Sequence, residues 1–227
     1  MTQMKRKNVH SDVSQKRFWD KGGIFRNYNH PVMEYFITQR IQFLRKFINI
    51  DKIQTALNIG CGNGSAAYYL SKCIPFLVAG DYALDKREFP QGNFETLYLN
   101  AYYLPFKSKS FDLVYIWEVL HHLTELERTI TEAIRVAKQY IVIIEPNPAN
   151  PIQFLYSFAE ENHSLIRQCK KKRIVTCLHQ NGCNKIMMKS GGVIFPNKLP
   201  LILLKFLKNF PYEIPILGIS NIYLGYL

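Results

Sequence analysis

The sequence lacks the features that mark several special classes of protein. It has no run near the ~20 apolar residues of a membrane-spanning helix: residues 199–204 form a short run that contains a proline and stops at Lys205. Internal repeats and linkers rich in glycine or serine are absent as well. The five cysteines are irregularly spaced, and no apolar export signal follows the basic residues near Met1, so we expect free thiols in a cytoplasmic protein. With 48% apolar and 20% charged residues, the 227-residue chain is typical of a globular fold rather than a disordered one.

Acidic residues are scarce, and the resulting charge is unevenly distributed. The net charge is +12, with +7 in residues 1–55, −2 in residues 56–150 and +7 in residues 151–227. The basic flanks could attract an anionic substrate, nucleic acid or an acidic membrane, or they could be an ordinary solvated surface. We favour the solvated surface, because charge alone specifies no partner.

Short apolar runs alternate with helical patterns from residue 55 to residue 145. We predict strands over 55–59, 76–80, 96–99, 111–117 and 140–144, and a further strand over 220–227. We predict helices from Pro31, from a capping box at Thr124 and Glu127, and from Asn150 through Ala159. This alternation predicts a parallel sheet covered on both faces, with its ligand beyond the carboxyl ends of the strands.

A glycine-rich turn, Gly60-Cys61-Gly62-Asn63-Gly64, ends the first predicted strand. Ser65 stands where the dinucleotide fingerprint has its third glycine or alanine, and no G-K-[ST] follows, which excludes a P-loop. Asp81 follows the second predicted strand, where a carboxylate can accept both hydroxyls of a ribose; the alternative is an ordinary turn residue.

Five stretches together resemble one known family. They are ALNIGCGNG (56–64), VAGDY (78–82), LNAYYLPF (99–106), KSFDLVYIWEVLHHL (109–123) and RVAKQYIVIIEPN (135–147). In this order they resemble the class I S-adenosylmethionine-dependent methyltransferases, in their small-molecule branch. The stretch EPNPANP (145–151) resembles an uncharacterised subgroup of that family. The resemblance implies an enzyme with a Rossmann-like, doubly wound, mostly parallel α/β sheet, an N-terminal helical lid and added C-terminal strands.

The resemblance also implies which residues bind S-adenosylmethionine. They are Asn58, Gly60, Cys61, Gly62, Gly64, Asp81, Tyr82, Asn100, Ala101 and Glu118. The glycines would approach the methionine part, Asp81 the ribose, and Asn100 with Ala101 the adenine. Many family members have an acidic residue where this chain has Asn58 and an aspartate where it has Asn100. An amide still accepts a hydrogen bond but brings no charge, so we expect weaker cofactor binding than is usual.

Candidate acceptor-side residues follow the fourth and fifth strands and precede the first. His121 or His122 could act as a general base, or both could simply orient their loop. Glu145 could face the same pocket. We expect Tyr28 and His30 to border it as part of a lid that excludes water.

We predict that the chain divides into three parts of one structural domain. Residues 1–50 are the predicted helical lid, 51–150 the cofactor-binding core, and 151–227 the segment that completes the sheet and covers the acceptor site. Residues 199–218 could rest on a membrane surface, shape an apolar acceptor pocket or complete the sheet. Cys169, Cys177, His179 and Cys183 lack the spacing of a zinc site, so we predict no metal.

Three functions remain open from the sequence. The first is a methyltransferase for a small molecule, for which an apolar or lipid-like compound is one candidate. The second is an RNA methyltransferase that uses the basic flanks, although the N/D-P-P-Y/F motif of amino-methylating members is absent. The third is a non-catalytic module that binds the cofactor.

Overall fold

A computed structural model describes residues 26–84, 89–159 and 161–227. The part of the predicted lid before residue 26, including Phe18, Trp19 and Phe25, lies outside the described residues. None of the helices in these ranges is long and apolar enough to cross a membrane.

The described elements alternate between strands and helices along most of the chain. The strands are β1 (Thr55–Ile59), β2 (Phe76–Asp81), β3 (Glu95–Tyr98), β4 (Phe111–Trp117), β5 (Ala137–Pro146), β6 (Lys185–Gly191) and β7 (Ser220–Tyr226). The α-helices are α1 (Pro31–Leu44), α2 (Ser65–Leu70), α3 (Leu126–Val136), α4 (Pro151–Ala159), α5 (Lys171–Gln180) and α6 (Leu201–Leu207). Short 3-10 turns span Ile50–Lys52, Leu120–His122 and Glu161–Gln168.

The strands form one seven-stranded sheet in the order β3-β2-β1-β4-β5-β7-β6. Strands β1 to β5 are parallel, and β7 runs antiparallel to both β5 and β6. Ser220 pairs with Pro146 on one side and with Gly191 on the other. The segments that follow β5 and β6 and the segment that precedes β7 therefore meet at the carboxyl edge of the parallel strands.

Two apolar layers cover the sheet, because side chains alternate between its faces along each central strand. On β5, Val142 and Ile144 join the layer that contains α1 and α2, whereas Ile141 and Ile143 join the layer that contains α3 and α5. Both faces of the central strands are buried, which explains why their sequences read as continuous apolar runs.

Several element boundaries differ from the sequence-based prediction. The predicted capping box is wrong: α3 begins at Leu126, and Glu125 precedes it without a side-chain cap. Thr124 is instead engaged by Tyr102, whose hydroxyl accepts from the Thr124 amide at 3.1 Å and lies 3.2 Å from its Oγ1. Strand β5 starts three residues earlier than predicted, at Ala137. The cap at Asn150 is confirmed, since its Oδ1 accepts from the amides of Ile152 and Gln153 at 2.9 and 3.1 Å.

Candidate active site

The glycine turn after β1 is held against β2 and faces open space at its centre. Gly60, Gly62 and Gly64 all have positive φ, at 71°, 55° and 74°, a region that strongly favours glycine. A Cβ on Gly60 would lie 2.5 Å from Val119, so this glycine is also needed for close packing. Among the residues that the structure describes, nothing lies within 4 Å of a Cβ built on Gly62. The backbone at Gly62 is therefore open to a ligand.

Asp81, at the end of β2, is bonded to the glycine turn. Its Oδ2 accepts from the Gly62 amide at 2.8 Å, and its Oδ1 accepts from the Ala83 amide at 3.0 Å. Tyr82 is half exposed, with its ring 5.1 Å from that of Tyr98. The carboxylate thus lies beside the open backbone of Gly62, and it also holds the turn in shape, a task that sequence reasoning did not assign to it.

Asn58 is a buried polar side chain two residues before the turn. It is only 1% exposed, and neither its amide nitrogen nor its amide oxygen has a hydrogen-bond partner within the described ranges. A buried amide without partners is unfavourable by about 1–3 kcal/mol, so a ligand that supplies a polar group here gains affinity. Together with the open turn at Gly62 and the Asp81 carboxylate, this amide fits the amino-acid and ribose groups of S-adenosylmethionine.

Asn100 and Ala101 follow β3 at the same edge. The Asn100 Oδ1 accepts from the Tyr102 amide at 2.9 Å, which makes an Asx turn. Ala101 is partly buried against the apolar layer of α3. The amide that replaces the aspartate of many relatives is therefore engaged in shaping its own loop.

Glu118 occupies a strained corner directly after β4. Its φ is 55°, unusual for a residue with a Cβ, and its amide donates to the Ile144 carbonyl at 2.7 Å. Burial raises the pKa of Glu118 to about 7; the positive charge of Arg40 opposes this rise and the negative charge of Glu145 adds to it. The neighbouring Val119 packs on Gly60, so this corner links the glycine turn to the end of β4.

Arg40 is a buried cation that sequence reasoning missed. It is fully buried on α1, where Nη1 donates to the Phe36 carbonyl at 2.9 Å and Nη2 to the Ser220 hydroxyl at 2.8 Å. Its guanidinium lies 3.5 Å from the centre of the Phe36 ring. Burial lowers the pKa of Arg40, and Glu118 contributes an opposing attraction. The available signal was an arginine within the apolar stripe of a helix, where a charge is costly unless it has a task.

Glu145, predicted to face the acceptor, instead lies fully buried beneath the loop after β4. Its Oε1 accepts from the amides of Val119 and Leu120, each at 2.8 Å, and its Oε2 lies 2.8 Å from His121 Nδ1. Burial raises the pKa of Glu145 to about 7, although these backbone donors oppose the rise. Through these bonds, Glu145 positions residues 119–121.

The two histidines occupy different environments. His121 is 1% exposed and bonded to Glu145, which favours the loop-orienting interpretation over that of a general base. His122 is only partly buried, with its ring centre 3.9 Å from that of His121. Of the two, His122 is therefore the better placed to meet a ligand.

The predicted lid residues Tyr28 and His30 lie directly before α1, and Tyr28 contacts α2, the helix that follows the glycine turn. The Tyr28 carbonyl accepts from the Tyr69 hydroxyl at 3.0 Å, and the Tyr28 ring lies 4.6 Å from that of Tyr68. His30 caps α1, since its Nδ1 accepts from the Val32 amide at 3.2 Å. Tyr28 is thus attached to the helix that follows the cofactor turn, and His30 has a capping role not foreseen from the sequence.

Comparisons with known proteins agree with this geometry. Residues 57–143 match the model of a methyltransferase domain. An S-adenosylmethionine-dependent methyltransferase from Archaeoglobus fulgidus has a similar structure, with a TM-score of 0.60 and 18% identity over 85% of this chain and 94% of that one. A candidate methyltransferase from Haloferax volcanii, solved in complex with the Trm112 methyltransferase activator, has a TM-score of 0.61 and 14% identity over 95% of this chain and 96% of that one. No curated protein matches the sequence.

These findings confirm the predicted fold. Over residues 57–143 the family model also supports the predicted class of enzyme, a methyltransferase, whereas the cofactor S-adenosylmethionine stays a prediction. The roles of individual residues, the methyl acceptor and the EPNxxNP subgroup stay predictions.

Proposed function

We propose that the protein transfers a methyl group from S-adenosylmethionine to a small, apolar or lipid-like molecule. The proposal rests on the open backbone of Gly62 beside the Asp81 carboxylate, together with the unpartnered amide of Asn58 on the strand that leads into the turn. The cofactor supplies a methyl group on a sulfonium that leaves as a neutral thioether. The chain therefore has mainly to align donor and acceptor, and a proton acceptor is needed only if the acceptor carries a proton that must leave.

We assign the donor side of the site to the predicted core, residues 51–150. Asp81 receives the ribose hydroxyls, Tyr82 and Ala101 border the adenine, and Asn58 meets the amino-acid group. Asn100 holds the loop that carries Ala101, because its side chain is already bonded within that turn.

The acceptor side combines residues from the predicted lid and from residues 151–227. Arg40 on α1 bonds to Ser220 on β7 and attracts Glu118, so three distant segments meet at this side. We expect Tyr28 and His30 to border the acceptor side, with Tyr28 in contact with α2. Large apolar side chains on α4 and α6 are exposed beyond the same edge, which favours an apolar acceptor.

Glu118 is the best placed group to receive a proton from the acceptor. It lies at the end of β4 beside the glycine turn, and its raised pKa of about 7 suits a base that works near neutral pH. His122 is the alternative, whereas His121 and Glu145 position the loop that carries both.

A methyl-transfer assay with labelled S-adenosylmethionine and whole-cell extract tests the proposal. We expect label in the organic-soluble fraction, and a loss of about tenfold or more in Asp81→Ala, because one carboxylate hydrogen bond is worth ~1.5–3 kcal/mol. Asp51→Ala is the matched control: that carboxylate forms an exposed ion pair with Arg45, before β1.

The other two functions are distinguishable outcomes of this assay. Label released by nuclease would replace the proposal with an RNA methyltransferase, whose binding should weaken steeply with salt. Cofactor binding without transfer to any fraction would favour a non-catalytic module.

A further inference from the structure

Exposed apolar side chains are concentrated at the carboxyl edge of the sheet. Of the sixteen large apolar residues exposed in the described ranges, four are on α4 and seven lie between residues 201 and 217. The most exposed include Leu155 at 68%, Phe206 at 66% and Ile216 at 72%. We call these eleven residues the apolar cap. A patch of this kind, confined to one edge, indicates an interaction surface.

The cap is built on fixed backbone. Asn147 Nδ2 donates to the Ile216 carbonyl at 2.7 Å, and Asn150 Nδ2 donates to the Leu217 carbonyl at 2.6 Å, which fastens residues 216–217 beside the start of α4. Ile216 has a φ of 66°, a strained conformation for a β-branched residue. The structure thus retains backbone strain at a position where the side chain points into solvent, a combination that packing within the chain does not explain.

The inward side of α6 is separate from the side that carries the cap. Leu204 and Leu207 pack against the layer of α1, and the Tyr35 hydroxyl donates to the Lys208 carbonyl at 2.9 Å. Ile202 and Phe206 have no such contact and are 62% and 66% exposed. Substitutions at these two positions can therefore test the surface without disturbing the core.

Positive charge accompanies the cap. Residues 162–212 contain ten lysines and arginines and no aspartate or glutamate. Lys205 and Lys208 are exposed on and next to α6, and the Arg167 guanidinium lies 4.6 Å from the centre of the exposed Phe158 ring. The basic run 170–172 also starts at this edge, because Gln168 donates to the carbonyls of Leu120 and Leu123 at 3.2 and 2.6 Å.

We propose that the apolar cap docks the protein on the surface of an anionic phospholipid bilayer. Apolar side chains flanked by lysine and arginine match the acyl boundary and the phosphate headgroups of such a surface. A neutral protein groove would leave the exposed cations beside the cap, Lys205 and Lys208, unmatched. If the proposed function holds, docking turns the mouth of the site towards the bilayer and selects acceptors dissolved in it.

Flotation of the full-length protein with lipid vesicles, without cofactor or acceptor, tests the docking. We expect binding to vesicles of phosphatidylcholine with phosphatidylglycerol, weak binding to phosphatidylcholine alone, and a decline with salt. Lys205→Glu with Lys208→Glu should weaken binding about tenfold or more, since each lysine near an anionic surface is worth ~1 kcal/mol. Lys52→Glu with Lys107→Glu carries the same charge change before β1 and β4, at the opposite edge, and should have a small effect.

The apolar contribution is tested in the same way. Phe206→Ser should weaken vesicle binding about tenfold, because one aromatic side chain can no longer be buried in the bilayer. Phe76→Ser, the same change at a phenylalanine that is 51% exposed at the opposite edge, should not weaken it. Ile216→Gly should weaken binding while leaving the fold as stable or more so, because glycine accepts the positive φ. Weaker binding together with unchanged or higher stability would show that Ile216 acts in docking and not in stabilising the fold.

Three results would overturn the docking proposal. They are the absence of binding to anionic vesicles, equal binding by the cap variants and their controls, and a cap-dependent dimer without vesicle binding. Binding to vesicles by a protein that transfers no methyl group would instead overturn the proposed function and leave the docking intact.

Discussion

The donor and acceptor sides of the carboxyl edge are built in opposite ways. On the donor side, the glycine turn and Asp81 come from neighbouring strands. The turn amides donate to the Asp81 carboxylate and to the Gly80 carbonyl, and Gly62 and Asp81 are 19 residues apart in the chain. On the acceptor side, Arg40, Glu118 and Ser220 come from segments far apart in the chain, and their contacts rest on buried charge. A shared cofactor demands one fixed shape, whereas an acceptor site can be assembled from whichever segments reach the edge.

The largest effect should come from Gly60, where close packing coincides with a positive φ on the donor side. Gly60→Ala should lower the free energy of unfolding by about 2–4 kcal/mol, because the new methyl group would meet Val119 and the backbone φ is unfavourable. Gly62→Ala should lower it by only about 1–2 kcal/mol, because its surroundings are open. Urea unfolding measures both values.

Cofactor affinity provides a second test of the donor side, because it can change where stability changes little. Gly62→Ala should weaken cofactor binding, as measured by calorimetry, because its methyl group projects into the space assigned to the ligand. Gly182→Ala is the control, since Gly182 has a φ of 99° and equally open surroundings in the turn before β6. Equal cofactor affinity in the two variants would contradict the proposal that the cofactor binds next to Gly62.

The raised pKa of Glu118 on the acceptor side should be measurable as a pH dependence of the free energy of unfolding. Burial raises the pKa of Glu118 from 4.5 to about 7, so the folded protein binds more protons than the unfolded chain between these values. The contribution of Glu118 is therefore complete below pH 4.5 and is lost as the pH rises through about 7. Carboxyls with lowered pKa, such as those of Asp51 and Glu127, act in the opposite direction, so the informative quantity is a difference between variants.

Between pH 5 and pH 7.5, the free energy of unfolding should decrease less in Glu118→Gln than in the wild type. The change should be at most ~1.4 kcal/mol per pH unit, the value of one titrating group. Glu125→Gln, an exposed carboxyl in the same connection, is the control. Parallel stability curves for the wild type and Glu118→Gln would contradict a raised pKa at this corner.

The smallest effect on stability should come from Arg40→Met. Its guanidinium has hydrogen bonds but no carboxylate of the described residues within salt-bridge distance, so an apolar side chain of similar length should change stability by about 1 kcal/mol or less. Removing the cation should raise the pKa of Glu118 further, which an NMR titration of the glutamate carboxyl carbons can follow. Arg45→Met, in an exposed ion pair, should leave that titration unchanged.

The sequence predicts the donor side well because its signals are local. The turn at Gly60, the strand ends at Asp81 and Asn100, and the cap at Asn150 each depend on neighbours only a few residues away. Thr124 misled the prediction because its partner, Tyr102, is 22 residues distant. The buried position of Glu145 could not be predicted, since it depends on contacts with the loop after β4. Arg40 left one signal, its place in the apolar stripe of α1, but its partner Ser220 is 180 residues away.

The position of β7 also constrains the order in which the protein can be made. Strand β6 precedes β7 in the chain but lies outside it in the sheet, with β7 as its partner. During synthesis, β1 to β5 can pair as they emerge, whereas β6 must wait on the ribosome until residues 220–226 follow. The nascent chain therefore passes through a stage in which β5 is an open edge next to an unpaired strand, the stage at which we expect it to depend most on chaperones.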